Sequence, residues 1–234
     1  MKRSVALGEE WTPVRVIYHR NMSNMEIRIH TQGGSVETFF QDNPALAARI
    51  LNGIQPIKVF AADIITIAGE YSLTTFVSSR VDRVDVITKD PVPWKHPTDI
   101  LDVLELPEDE FQERSHMNDP ARRRRRRSPK QTGEVAAVFV AVEMTGGNRI
   151  FLAAKIKVAL EAERLHRLHL LLSAPALHFR LRQGGNAILN LKNIVRFTFH
   201  PGPDVTPIDA WPAHHRSGQK ASVSRADVPI FTIQ

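Results

Sequence analysis

Short runs in which apolar and polar residues alternate dominate the chain as far as Asp90, and a period of two predicts strands. Val14-Arg-Val-Ile-Tyr18 and Met25-Glu-Ile-Arg-Ile-His30 are rich in β-branched residues and are separated by Asn21, Ser23 and Asn24. Together they predict a β-hairpin. Gly33-Gly34 predicts a turn, after which Val36 to Phe40 resumes an extended pattern. The period then changes. Asn43 can cap free amides and Pro44 suits the first helical position, while Leu46, Ile50, Leu51 and Ile54 recur at helical spacing. Gly53 and Pro56 end that element. Ile64 to Ile67, the turn Gly69-Glu70 and Ser72 to Val77 predict a second hairpin, and Ser78 to Arg80 a single helical turn. Val81 to Thr88 closes the series as a strand.

The second half repeats this order. Val135 to Met144 is strand-like, Gly146-Gly147 a turn, and Arg149 to Leu152 a strand again. Lys155 to about Leu168 has helical character. Leu177 to Leu181, the turn Gly184-Gly185, Ala187 to Leu191 and Ile194 to Phe199 complete the unit. A shift of 113 positions places Phe76 on Leu189, Val81 on Ile194, Val84 on Phe197 and Val86 on Phe199. The ordered elements therefore predict two copies of one small β-rich unit. Each alone has a marginal core, so pairing them as an intramolecular pseudo-dimer would bury more surface. Hairpin, short helical turn and closing strand is similar in pattern to the end of Sm-like and SH3-like barrels. The expected fold class is thus α+β, with two tandem units that are barrel-like or a sheet plus one helix.

Between the units the character changes. Pro91 to Glu134 contains seven acidic residues from Asp99 to Glu113, then the six consecutive arginines Arg122 to Arg127. Its composition predicts a charged, disordered linker. The expected organisation is a first β-rich unit over 1–90, the linker over 91–134, a second unit over 135–201 and a Pro-rich tail over 202–234 with a possible strand at Val228 to Ile233. Ser115-His116-Met117 also has the form of a junction at which two related proteins could have been joined.

Composition adds three things. There are no cysteines among the 234 residues, which excludes disulfides and thiolate metal sites and suits a reducing compartment. Near the N-terminus no apolar run suggests a signal peptide or a membrane span, so a cytoplasmic location is the expectation. The net charge of +6 resides in the arginine run, because the other 25 basic residues match the 25 acidic ones. A basic face on the folded units is not indicated.

Candidate chemistry is sparse. Arg122, Arg123, Arg124, Arg125, Arg126 and Arg127 can pair with successive phosphates, giving sequence-independent, salt-sensitive binding to nucleic acid or another polyanion. The acidic stretch just upstream would compete for them. Glu163, His166 and His169 have i, i+3, i+6 spacing on the expected second helix, but span too wide an arc for the tighter zinc-hydrolase pattern. Asp82 and Asp85 flank Arg83 on opposite faces of a strand. The glycine pairs lack the Lys-Ser/Thr of a phosphate-binding loop. Trp94 and Trp211 lie in Pro-flanked loops and are candidates for partner binding or for clamping their own domain.

These observations predict a non-enzymatic interaction or assembly module, with a protein partner or self-association, no cofactor, no metal and no catalytic residues. The alternative is a nucleic-acid-associated protein using the arginine run, and a more remote one a metal-dependent enzyme.

Overall fold

A computed structural model describes residues 25–97, 99–115, 132–200, 202 and 210–211. The fold is mixed α+β and mostly sheet. Its strands are β1 (Met25–Thr31), β2 (Val36–Gln41), β3 (Ile64–Ala68), β4 (Leu73–Val77), β5 (Val81–Thr88), β6 (Ile100–Leu106), β7 (Val135–Met144), β8 (Arg149–Lys157), β9 (Ala176–Arg180), β10 (Asn186–Asn190) and β11 (Ile194–His200). Helices α1 (Pro44–Gly53), α2 (Pro56–Val59), α3 (Glu108–Ser115) and α4 (Glu161–Ser173) are few and short, and 3-10 turns occupy Ser78–Arg80 and Leu191–Asn193. No helix among the described residues is long and apolar enough to cross a membrane.

Nine strands form one open sheet in the order β11-β7-β8-β6-β9-β10-β5-β1-β2, and β3-β4 form a separate two-stranded ribbon. The expectation of barrel-like units is therefore corrected. The sheet ends at β11 and β2 and does not close on itself.

Several local expectations hold. Asn43 caps α1 through Oδ1, which accepts from the amides of Ala45 at 2.9 Å and Leu46 at 3.1 Å, with Pro44 in the first turn. Alternation in β1 buries Met25, Ile27 and Ile29 on one face. Three predictions shift. Met25–Thr31 pairs with Val36–Gln41 across the Gly33-Gly34 turn, while Val14 to Tyr18 lies outside the described residues. The strand β8 runs on to Lys157, so the helix begins only at Glu161.

The largest correction concerns the linker. Residues 100–115, assigned by composition to an unordered segment, form β6 and α3. β6 enters the sheet between β8, antiparallel, and β9, parallel. Acidity did not prevent this because the acids meet basic partners from elsewhere in the fold. Asp102 pairs with Arg180, Glu105 with Arg83, and Glu110 with Arg182. Phe111 is 1% exposed and packs on Phe139 and Phe151.

The two halves share element bounds at a fixed spacing. β4, the first 3-10 turn and the start of β5 fall at 73–77, 78–80 and 81; β10, the second 3-10 turn and β11 fall at 186–190, 191–193 and 194, each 113 residues later. Backbone hydrogen bonds recur at the same spacing. Gly34 N to Thr31 O and Gln32 N to Arg80 O have counterparts in Gly147 N to Met144 O and Thr145 N to Asn193 O. Gly34 and Gly147 hold φ of +79° and +83°, the left-handed region that favours glycine. Even the β-bulges coincide, since β1 skips Asp82 on β5 and β7 skips Val195 on β11.

The halves nevertheless occupy one sheet. β10 of the second half pairs with β5 of the first, Asn186 opposite Val86 through Leu189 opposite Arg83. β10 has a strand on each side and is also buried on both faces. Ile188 joins the core of Met25, Ile29 and Val84, whereas Ala187 and Leu189 join that of Val142, Leu152 and Phe179. A strand buried on both faces needs no polar alternation, which explains the unbroken Ala-Ile-Leu run.

Candidate functional site

The seam between β5 and β10 carries most of the buried charge. Asp85 is 1% exposed and accepts from His30 Nε2 at 2.9 Å and from Arg83. Arg83 reaches across to Glu105 on β6 at 3.1 Å and lies 5.3 Å from the ring centroid of Phe179 on β9. One guanidinium thus ties the first half, the intervening segment and the second half together. Burial alone would raise the Asp85 pKa, but hydrogen bonds from His30 and Arg83 and their charges hold it below the usual carboxylate value. With its acceptors occupied, Asp85 is not a free general base. Arg83, held by two carboxylates, is not a free anion site.

At the other end of the seam two asparagines of the second half clasp the first. Asn190 Nδ2 donates to Ser78 O at 3.2 Å and Val81 O at 2.9 Å. Asn193 Nδ2 donates to Val81 O at 3.0 Å and Asp82 Oδ1 at 3.1 Å. Burial raises the Asp82 pKa, opposed by the Asn193 hydrogen bond. Close approach is permitted by two glycines. A Cβ on Gly146 would stand 2.4 Å from Gln32 O, and one on Gly185 2.7 Å from Val86 O.

Beside the seam lies a groove of about 1880 Å³ between α4 and the sheet face formed by β7, β8 and β11. Val138, Leu152, Phe197 and Phe199 line its floor, and Leu168 and Leu171 of α4 its roof. On its wall His96 and His178 stack with centroids 4.0 Å apart and planes 5° from parallel, and Trp94 meets His178 edge-on at 5.9 Å. Burial, then the neighbouring His96, lowers the His178 pKa to about 4; burial also lowers that of His96. Both rings are neutral near pH 7. His178 is 8% exposed, and its Nε2 has no hydrogen-bond partner among the described residues.

The residues singled out by sequence do not converge. Arg122 to Arg127 lie outside the described residues. Trp94 is half-buried against the first core, and its indole N–H donates to Ile54 O at 2.9 Å. Trp211 is 92% exposed. Glu163 is engaged by Arg167, and His169 Nε2 faces Ser173 Oγ at 3.5 Å. No group of three or more His, Cys, Asp or Glu suited to a metal ion occurs among the described residues. Sequence reasoning missed the seam itself. Asn190 and Asn193 were the available signal: two asparagines at a turn between the apolar runs Ala187 to Leu189 and Ile194-Val195. Comparison with known proteins finds no matching family model, no matching curated protein and no matching solved structure.

Proposed function

We propose that this protein is a non-enzymatic interaction and assembly module built from two paired β units, with the β5–β10 seam as its internal prototype of partner binding. The observation that carries the reading is the way β10 completes the first half: it adds a strand to β5 and places Ile188 in the first core and Leu189 in the second. Strand addition of this kind derives affinity from backbone hydrogen bonds and specificity from alternate side chains. The saturation of Asp85 and Arg83 supports a structural role for the charges there. A protease site inserted between residues 116 and 131 tests the reading. After cleavage the two fragments co-elute as one folded particle; separation into independent folded monomers would refute it.

A second reading, polyanion binding through Arg122 to Arg127, gains from one observation. Asp102, Glu105 and Glu110, which sequence alone offered as competitors for the run, are tied to Arg180, Arg83 and Arg182 instead. Binding to random duplex at low salt, lost with added salt and on replacing the six arginines by Gly-Ser, supports it. Absence of binding at low salt removes it.

A further inference from the structure

We propose that β4 of one copy of this chain pairs with β11 of a second copy, repeating between molecules the contact that β10 and β5 make within one. This rests on the paired-unit reading above. The seam joins unlike surfaces: the first half contributes its closing strand β5, the second its ribbon strand β10. A contact between unlike surfaces leaves one copy of each unused. The unused copies are β4, which stands where β10 stands, and β11, which stands where β5 stands. Among the described residues each pairs on one side only, β4 with β3 and β11 with β7.

Both edges keep what the seam uses. β11 carries its bulge at Val195, the position equivalent to Asp82 on β5. β4 lacks the devices that keep an edge strand single, because Leu73-Thr-Thr-Phe-Val77 has no charge and no proline. Two of its three outward residues are apolar and open, Leu73 at 70% and Val77 at 55% exposure, and the bulge residue Val195 is 66% exposed.

Where the two contacts differ, they differ together. In the seam Asn190 and Asn193 clasp the turn that carries the polar bulge residue Asp82. The residues 113 positions earlier are Val77 and Arg80, and the bulge residue they would meet is Val195. Val77 puts an apolar side chain where Asn190 stands and Val195 one where Asp82 stands, while Arg80 takes the place of Asn193. The same matching separates the two contacts: β10 docked on β11 would bring Asn193 to Val195 and remove the carboxylate it donates to. The seam's register, carried across, sets Leu73 opposite Phe199, Thr74 opposite Thr198 and Thr75 opposite Phe197 of the neighbouring copy.

The absence of cysteine from the chain makes the register directly measurable. Protein carrying Thr74→Cys, mixed under mild oxidation with protein carrying Thr198→Cys, forms a disulfide-linked dimer, since opposed strand residues stand within bridging distance. Thr66→Cys on β3, the opposite edge of the ribbon, forms none with Thr198→Cys. Light scattering of the unaltered full chain gives a mass above that of a monomer, rising with concentration, and Leu73→Lys with Val77→Lys returns it to monomer with unchanged circular dichroism. A monomeric mass at about 0.1 mM, where a micromolar contact would be saturated, together with no Thr74–Thr198 cross-link, overturns the proposal. If cleaved halves still co-elute in that case, only this proposal fails; if they separate, the paired-unit reading fails with it.

Discussion

The β9–β10 and β3–β4 ribbons are built alike and end differently. Each is an antiparallel hairpin followed by a 3-10 turn and a closing strand, and the later pair of elements falls at the same spacing in both halves. Yet β9–β10 sits inside a nine-stranded sheet while β3–β4 stands apart from it. In the first case Ala187, Ile188 and Leu189 are fully buried; in the second only Phe76 is buried, at 8% exposure, with Leu73, Thr75 and Val77 open to solvent. The difference teaches that element order does not decide where a ribbon goes. What decides it is whether a neighbouring edge is offered, and whether a few side chains permit close approach and satisfy the backbone there.

The sharpest test of that comparison is Gly185→Val. It adds a Cβ 2.7 Å from Val86 O and forces a β-branched residue to φ +87°, so backbone strain and overpacking act together. A loss of roughly 4 kcal/mol is expected in denaturant titration. The residue in the corresponding place before β4 is Ser72, which is exposed, and Ser72→Val is expected to stay within about 0.5 kcal/mol. Equal losses would dissolve the distinction between the ribbons.

Next in size is the asparagine clasp. Asn193→Ala frees the carboxyl of Asp82 inside the protein and removes one donor to Val81 O, costing about 2 kcal/mol. Asn190→Ala has a similar cost. Because both donate to Val81 O, the double variant should lose less than the sum, and a double-mutant cycle measures the coupling. Strict additivity would show that the two act separately.

A pH scan addresses the groove wall behind the seam. His178 titrates at about 4 when folded against 6.5 ordinarily, so between these values the unfolded chain binds the extra proton. Its contribution to stability is complete above about pH 6.5 and declines as pH falls toward 4. The melting temperature should fall over that window, and His178→Phe should flatten the fall. An unchanged slope would place the acid sensitivity elsewhere.

The smallest effect belongs to the exposed pair that ties β9 to β6. Arg180 Nε meets Asp102 Oδ1 at 2.8 Å, and the hydrogen bond lowers the Asp102 pKa. Arg180→Ala is expected to cost under about 1 kcal/mol, since water screens exposed ion pairs. A larger loss would mean that β6 is held mainly by charge and not by its backbone ladder.

Local signals in the sequence were legible where local physics decides. Period-two alternation located β1, β4, β5 and β11, and Asn43-Pro44 located the start of α1. Asp99 to Glu113 misled because counting charge in a window ignores partners distant in sequence; Arg83, Arg180 and Arg182 turn those acids into cross-links. The helix expected from Lys155 began later because Lys155 to Lys157 extend a ladder with β7, a benefit no window of the chain contains. Of the candidate site residues, Trp94 was legible as lying in a Pro-flanked loop, but its hydrogen bond to Ile54 was not, because the two lie 40 residues apart.

By itself the sequence determined most strands other than β6, the first helix cap, the glycine turns and the 113-residue spacing of similar patterns, because each depends on contacts between near neighbours. Only the tertiary structure decided that β6 belongs to the sheet, that β10 rather than β4 completes it, and that Asp85, Arg83, Glu105, Asn190 and Asn193 form one seam. Those outcomes depend on which edges and charges meet across long sequence separations, where a strand's fate is set by its neighbour as much as by its own residues.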